Sequence, residues 1–351
     1  MTKEKLPGLN GLRAISILFV IFSHTKSQLA EIPIIKNIIN IFPFLVDGQL
    51  GVNVFFVISG FLITSLLIKE QEAKNTISLK NFYIRRTLRI FPAYYLMLLV
   101  YFILQLTGTL YLSPESWLTS ITYTKYFNWR LDVLTAHAWS LSIEEHFYLF
   151  WPLLFSSRKI NYNIILIGIL IICPIFRIYG LFHQINFLDN LTIFQRLDSI
   201  VIGCLVALNI NKVKEIIAKH KFLIYLSFIW ILAYPYLTDL TLHFNVSKAY
   251  FVSPLTGSSG SITSVAVSIL VVFSVFHREN IWFRMLNLKA MEQIGLISYS
   301  LYLWQQIFTS ELPFGKNLFP WNYLLIFSVA FLSFYAVERP FIKLKDKFTV
   351  K

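Results

Sequence analysis

Long apolar stretches alternate with short polar segments along the whole chain. A helix needs about 20 mainly apolar residues to cross a bilayer, and ten stretches approach that length. The pattern therefore predicts an all-α, polytopic membrane helix bundle of about ten transmembrane helices. The predicted spans are residues 12–30, 50–68, 88–108, 138–156, 162–181, 192–210, 221–238, 260–277, 292–310 and 321–338.

The polar segments between these spans are too short to form a soluble domain, and the longest of them is 109–137. Residues 1–351 are therefore predicted to be a single transmembrane domain, with no appended soluble domain. The "GSSGS" stretch at 257–261 is predicted to be a flexible turn. No lysine follows it, so it does not match a phosphate-binding loop.

Composition agrees with a chain that faces lipid. Of the 351 residues, 56% are apolar and only 14% are charged, whereas a soluble domain has about 25% charged residues. The net charge of +13 would suit nucleic acid, but the basic residues cluster between apolar stretches, which favours membrane orientation over a nucleic-acid partner. Cys173 and Cys204 lie inside apolar stretches and predict neither a disulfide framework nor a metal site.

The distribution of Lys and Arg predicts the orientation. With the N-terminus inside, cytoplasmic segments carry 23 of these residues and outside loops carry 6. Both termini are therefore predicted to face the cytoplasm. Residues 1–25 begin like a signal peptide but lack a small-residue cleavage pattern, so the first span is expected to be retained.

His24 ends the apolar run "SILFVIFSH". A charged group at the centre of a bilayer costs about 2.5–3.5 kcal/mol, so each polar group in a span needs a partner or a role. Arg13 and His24 are three helical turns apart, roughly 16 Å along one face. Neutral imidazole is cheaper to bury than an ion and exchanges a proton near neutral pH. The alternative is a histidine bonded to a neighbouring helix.

The stretch "AHAWSLSIEEHFYLFWPL" at 136–153 opens the fourth predicted span. Ser140, Glu144 and Tyr148 repeat at intervals of four and form a polar stripe on one helix face. Glu145 shares its own face with Leu141, Leu149 and Pro152, which indicates a position nearer the membrane boundary or lipid. Glu144 is therefore the better candidate for an interior acid at the depth of His24, and a structural ion pair with Arg177 or Arg196 is the alternative.

Two further pairs of charged residues lie near helix ends. Arg86 and Arg89, in "FYIRRTLRIFPAYYL", project together and offer two guanidinium groups suited to phosphate. Arginines at a cytoplasmic helix end also satisfy topology alone, and that alternative stays open. Arg196 and Asp198, in "QRLDSIVIG", are interpreted as a structural pair, and a place in the lining of the cavity is the alternative.

These pieces together resemble the acyltransferase 3 family of integral-membrane O-acyltransferases, which acylate cell-surface sugars. The resemblance runs nearly from end to end, with Arg13 and His24 in the opening signature, Arg86 and Arg89 as the Arg-x-x-Arg pair, and Glu144 at the acidic position. The matching stretches are "GLNGLRAISILFVIFSH", "GVNVFFVISGFLIT", "RRTLRIFPAYY", "WSLSIEEHFYLFWPL", "RLDSIVIGCLVA", "ISYSLYLWQ" and "VERPF".

The resemblance implies a multi-pass enzyme of the bacterial plasma membrane. Its donor would be cytoplasmic acyl-CoA, with acetyl the expected group, and its acceptor a hydroxyl of a surface polysaccharide or lipid-linked glycan. Arg13, Arg86 and Arg89 would bind the CoA phosphates at the cytoplasmic side. Further along, His24 would act as general base, with Glu144 orienting it or stabilising the imidazolium. Direct transfer and a covalent acyl relay both fit these residues.

One departure from the family pattern bears on the site. Similar proteins often have His after "SYSLYLW", where this chain has Gln305. That leaves His24 as the main histidine candidate.

Two other classes compete with the acyltransferase. A proton-coupled transporter or flippase would also use intramembrane His, Glu and Arg, but the chain shows no internal repeat. A lipid-linked-sugar glycosyltransferase would be expected to pair acidic residues near an outer loop, whereas Asp132, Asp189 and Asp239 are isolated in the sequence.

Overall fold

A computed structural model describes residues 6–127, 132–157, 160–183, 192–242, 249–312 and 314–348. All regular secondary structure in these ranges is helical, with no strand among them, which confirms the all-α prediction. The α-helices are α1 (Leu9–His24), α2 (Lys26–Leu29), α3 (Pro33–Ile41), α4 (Gly48–Lys74), α5 (Leu79–Leu106), α6 (Pro114–Ile121), α7 (Ala138–Ser156), α8 (Tyr162–His183), α9 (Thr192–Leu208), α10 (Ile210–Lys219), α11 (Phe222–Leu242), α12 (Ala249–Phe276), α13 (Ile281–Leu286), α14 (Lys289–Leu296), α15 (Ser298–Thr309), α16 (Trp321–Ser333) and α17 (Arg339–Lys345).

Within the described ranges, five helices are long and apolar enough to cross a membrane. They are Gly48–Lys74, Leu79–Leu106, Tyr162–Tyr179, Ser258–Phe276 and Trp321–Lys345, the last continuing from α16 through a π-helical turn at Phe334–Glu338 into α17. A sixth is reached if α10 and the apolar part of α11, which meet at 93°, count as one broken span. The chain is a helical membrane protein, and the count of ten spans stays a prediction.

Two predicted spans are divided in the structure. The first, 12–30, ends as a helix at His24, and the short helix α2 follows. The ninth, 292–310, is interrupted at Ile297, between α14 and α15. Apolar periodicity marks where a segment is buried, but it does not fix where the helix axis breaks.

The predicted turn at 257–261 is wrong, because this segment lies inside α12. Inside the segment, the Ser261 hydroxyl donates to Asp198 Oδ2 on α9. In the next turn, the Ser264 hydroxyl donates to the carbonyl of Gly260 at 2.8 Å, and Thr263 Oγ1 accepts from Trp230 on α11. Away from water, small and hydroxylated residues suit a close helix interface, which overrides their preference for turns.

The described residues group into two compact units. Unit 1 contains Glu70–Arg158 and Leu296–Lys351, and unit 2 contains Glu4–Lys69 and Lys159–Gly295. The apolar core of unit 2 includes side chains of α1, α4, α9 and α12. A Cβ added at Gly60 on α4 would collide with the backbone of Ile200 on α9, and one at Gly203 with that of Val57. Two glycines therefore let these helices touch through their backbones.

Unit 1 is held by hydrogen bonds between its helices. On α15, the Tyr299 hydroxyl donates to the carbonyl of Ile90 on α5 at 2.9 Å. Ser300 donates to the buried carboxylate of Glu338, in the π-helical turn. These bonds satisfy polar groups that would otherwise be buried without partners, so they fix α15 against both neighbours.

A buried ion pair organises the connection between α5 and α7. Lys125, whose side chain is 0% exposed, contacts Asp132 with Nζ 2.5 Å from Oδ2. The carboxylate of Asp132 also accepts from the hydroxyls of Ser116 and Thr135, and the Lys125 backbone amide donates to Ser142 on α7. Asp132, which looks isolated in the sequence, therefore pairs with Lys125, seven residues earlier in the chain.

Candidate functional site

Arg13 and His24 lie on one uninterrupted helix, α1, as their spacing predicted. Arg13 is half-buried, one turn from the start of the helix. His24 is the last residue of α1, and its side chain is exposed at the protein surface rather than enclosed in an apolar environment. The structure therefore places this imidazole at a helix end on the surface of the protein, not in its core.

A cavity of about 350 Å³ surrounds the start of α1 in unit 2. Arg13 and Lys69 contribute positive charge to its wall, and Asn10 and Asn287 contribute amides. Asn287 also accepts the backbone amide of Gly8 at 3.0 Å, which fixes the entry into the helix. Among the described lining residues, Glu292 is the one acidic side chain. Two cations against this one acid give the described part of the lining a net positive charge.

Three neighbouring arginines on α5 have different surroundings in unit 1. Arg85 Nη2 is 2.8 Å from Oε2 of the buried Glu70, and Nη1 donates to the carbonyl of Phe348. By contrast, no described residue forms an ion pair or a side-chain hydrogen bond with Arg86 or Arg89. Those two are the arginines that the Arg-x-x-Arg spacing singled out. Their N–H groups are available to an anionic ligand.

The Arg86 guanidinium rests on aromatic rings. Its central carbon is 5.1 Å from the ring centroid of Tyr148 on α7 and 5.6 Å from that of Phe82. Both distances are within the range of a cation–π contact. Because Tyr148 lies one helical turn from Glu144, Arg86 contacts the helix face that carries the acidic residue.

The polar stripe predicted on α7 is present. Ser140 and Tyr148 are buried, Glu144 is half-buried, and the Tyr148 hydroxyl donates to Glu144 Oε2 at 3.3 Å. The lipid-facing assignment of Glu145 is wrong, however. Glu145 is half-buried like Glu144, and of the residues said to share its face only Leu149 is exposed, whereas Leu141 and Pro152 are buried. A helix packed on several sides buries more than one face.

Sequence reasoning missed a cluster at the start of α7. The Tyr302 hydroxyl, from α15, donates to the carbonyl of His137 at 2.8 Å and is 2.6 Å from the Ser140 hydroxyl. The ring centroids of His137 and Tyr302 are 5.5 Å apart, and both residues are buried. The only feature of the sequence that pointed to this cluster of His137, Ser140 and Tyr302 was the place of Ser140 in the polar stripe. Gln305, one turn beyond Tyr302, is also fully buried.

The pairing of Arg196 with Asp198 is wrong. Asp198 Oδ2 is 2.7 Å from Arg177 Nη2 on α8, and the Ser261 hydroxyl on α12 contacts both groups. Residues two apart on a helix project in nearly opposite directions, so Asp198 takes a partner from a neighbouring helix. Arg177 therefore forms a structural ion pair with Asp198.

The candidate residues are divided between the two units. Arg13 and His24 belong to unit 2, and Arg86, Arg89 and Glu144 belong to unit 1. The structure brings Arg86 together with the stripe that holds Glu144. The pairing of His24 with Glu144 stays a prediction.

The fold and its buried charges define the class as a polytopic helical membrane protein with polar groups in its helix interfaces. A family model described as an acyltransferase domain, Acyl_transf_3, matches residues 6–339. The chain therefore belongs to the acyltransferase 3 family. All five candidate residues fall inside the matched range.

The chain is also similar to named proteins of one bacterium. O-acetyltransferase OatA of Staphylococcus aureus strain NCTC 8325 / PS 47 is 31% identical over 331 residues, covering 85% of this chain and 50% of that protein. OatA of strain COL gives the same values. The chain spans about half the length of the curated relatives it matches. No solved structure matches it.

Proposed function

We propose that this protein is a membrane O-acetyltransferase that moves an acetyl group from acyl-CoA to a hydroxyl of a cell-surface or exported carbohydrate. The observation that carries the proposal is the family match over residues 6–339, supported by relatives named O-acetyltransferase. The proposed location is the bacterial plasma membrane. Ten spans with both termini in the cytoplasm are proposed from the 23 to 6 distribution of basic residues.

The donor is proposed to bind through Arg13, Arg86 and Arg89. Two features support these roles: the basic cavity around Arg13, and the absence of any described ion-pair partner for Arg86 and Arg89. The guanidinium of arginine is planar and can donate two parallel hydrogen bonds to one phosphate group of CoA. The ammonium group of lysine cannot make this bidentate contact.

His24 is proposed as the general base and Glu144 as the group that orients it or stabilises its cation. In the direct route, the His24 imidazole takes the proton of the acceptor hydroxyl while the oxygen attacks the thioester carbonyl. An ester bond forms, the carbon–sulfur bond breaks, and the CoA thiolate leaves and recovers a proton. The exposure of His24 at the end of α1 supports its access to an acceptor.

The proposal is tested by giving the protein in membranes labelled acetyl-CoA and a glycan acceptor. Release of free CoA together with labelled glycan is expected. His24→Ala should lower the rate by about 10²–10⁴, the usual loss for a general base. His220→Ala, an exposed histidine between α10 and α11, is the matched control and should stay active. A transporter or flippase would leave the thioester intact.

The acceptor is tested in cells. Mass spectrometry of surface glycans from cells with and without the gene should show the loss of one acetyl increment per modified sugar. Unchanged glycans, with normal amounts of protein in the wild-type membrane, would contradict the carbohydrate acceptor. Reconstitution of the purified chain alone distinguishes transfer completed by this chain from transfer completed by a separate protein.

A further inference from the structure

Tyr148, on α7, contacts two candidate site residues of unit 1 with different parts of one side chain. Its ring lies under the Arg86 guanidinium at 5.1 Å, and its hydroxyl donates to Glu144 Oε2 at 3.3 Å. We propose that Tyr148 is a positioning residue that holds a donor-binding arginine and the acidic residue in fixed relation. The inference rests on the function proposed above and assigns a role to a side chain that the sequence placed only on the polar stripe.

The ring holds the cation in place. Arg86 contacts the faces of Tyr148 and Phe82, and no described residue takes a hydrogen bond from its guanidinium. Aromatic faces attract guanidinium without using its N–H groups. Arg86 is thus restrained while its donors remain available for phosphate. An arginine restrained in advance loses less rotamer entropy when the ligand binds.

The hydroxyl orients the acid. Glu144 is half-buried, and a carboxylate on a three-bond side chain has many rotamers unless a donor selects among them. The hydrogen bond from Tyr148, one turn along the same helix, selects a rotamer on the polar stripe. The stripe itself is anchored one turn earlier, where Ser140 meets the Tyr302 hydroxyl at 2.6 Å.

The arrangement makes the two roles separable by substitution. Tyr148→Phe keeps the ring under Arg86 but removes the hydrogen bond to Glu144. Tyr148→Leu removes both contacts. Phe82→Leu removes the second ring under Arg86 and leaves the hydrogen bond intact, so it serves as the matched control for the ring.

The experiment measures kcat and the KM for acetyl-CoA, together with the Kd for CoA by calorimetry, on detergent-purified full-length variants of equal thermal stability. Tyr148→Phe should lower kcat about tenfold or more, the loss for a hydrogen bond to a charged group, and leave donor KM and CoA Kd within twofold. Tyr148→Leu should lower kcat equally and also raise donor KM and CoA Kd by about threefold to tenfold, as expected for a lost cation–π contact. Phe82→Leu should raise KM and Kd alone.

The outcomes separate this inference from the function on which it rests. A wild-type kcat in Tyr148→Phe overturns the orienting role, and wild-type CoA binding in Tyr148→Leu overturns the role toward Arg86. If the three variants act only through a general loss of packing, kcat should fall in all of them, including Phe82→Leu. That result would also overturn the inference. If the wild-type protein neither binds CoA nor releases it from acetyl-CoA, the acyltransferase proposal fails and this inference fails with it.

Discussion

Asp198 on α9 binds the guanidinium of Arg177 on α8 at 2.7 Å, although Arg196 lies two positions away on its own helix. The pair is almost removed from solvent, with Arg177 14% and Asp198 1% exposed. A Cβ added at Gly260 on α12 would stand 3.6 Å from this guanidinium, which shows how closely the third helix packs. The ion pair therefore joins three helices of unit 2.

Breaking this pair from one side should destabilise unit 2. Asp198→Asn leaves a buried guanidinium without its counter-charge, and removing one partner of a buried pair costs about 3–5 kcal/mol. We expect a lower midpoint of thermal unfolding in detergent. The double variant Arg177→Gln/Asp198→Asn should recover most of the loss. Equal stabilities for the single variant and the wild type would contradict a structural role for the pair.

The two neighbouring glutamates should differ in their effect on acyl transfer. Glu144→Gln should be nearly as damaging as Glu144→Ala, because a carboxylate that meets an imidazolium acts through its charge. Glu145→Gln should be milder, since Tyr148 donates to Glu144. The measurement is transfer per amount of folded protein. An active Glu144→Gln beside an inactive Glu145→Gln would move the acidic role to Glu145, which the structure buries to a similar degree.

The three arginines of α5 should separate by function. Arg86→Ala and Arg89→Ala should each raise the KM for acetyl-CoA by about tenfold or more, the value of a hydrogen bond to a charged group. Arg89→Lys should rescue only partly, because a point charge cannot replace the planar fork. Donor saturation curves measure both effects.

Arg85→Ala is the matched control for these variants. It should leave the KM unchanged but lower the folded yield, because the buried Glu70 loses its ion-pair partner. If Arg86→Ala and Arg89→Ala are saturated by the same acetyl-CoA concentration as the wild type, these two arginines serve only the orientation of the helix in the membrane.

The buried pair of Lys125 and Asp132 predicts a pH dependence of stability. Burial alone would raise the pKa of Asp132, but hydrogen bonds from Lys125, Ser116 and Thr135 lower it below the ordinary value of 3.8. The carboxylate thus contributes stability above about pH 4, and that contribution is lost as the pH falls through the lower folded pKa.

Unfolding midpoints across pH measure this contribution. The difference between the wild type and Asp132→Asn should be constant from about pH 5 to 8 and shrink below about pH 4. Glu115→Gln, which removes an exposed acid of the same connection, should change the midpoint little at any pH. A difference that grows on acidification would have the wrong sign for this pair.

Local pattern was sufficient for much of this protein. Apolar runs gave the helical class and the approximate position of most helices, because burial of a helix face depends on residues three and four apart. The same spacing placed Arg13 with His24 on one helix and aligned Ser140, Glu144 and Tyr148. The sequence also carried the family resemblance, which the match over residues 6–339 confirms.

Partner choice was decided by the tertiary structure alone. Asp198 could have met either of two arginines, and only the packing of α8 against α9 selects Arg177. Likewise, spacing in the sequence paired Arg86 with Arg89, but only the packing shows that Glu70 binds Arg85 and that Arg86 lies on the Tyr148 ring. Helix periodicity predicts which residues share a helix face, but it does not predict which segment packs against that face. Buried charges are settled by contacts between segments far apart in the chain.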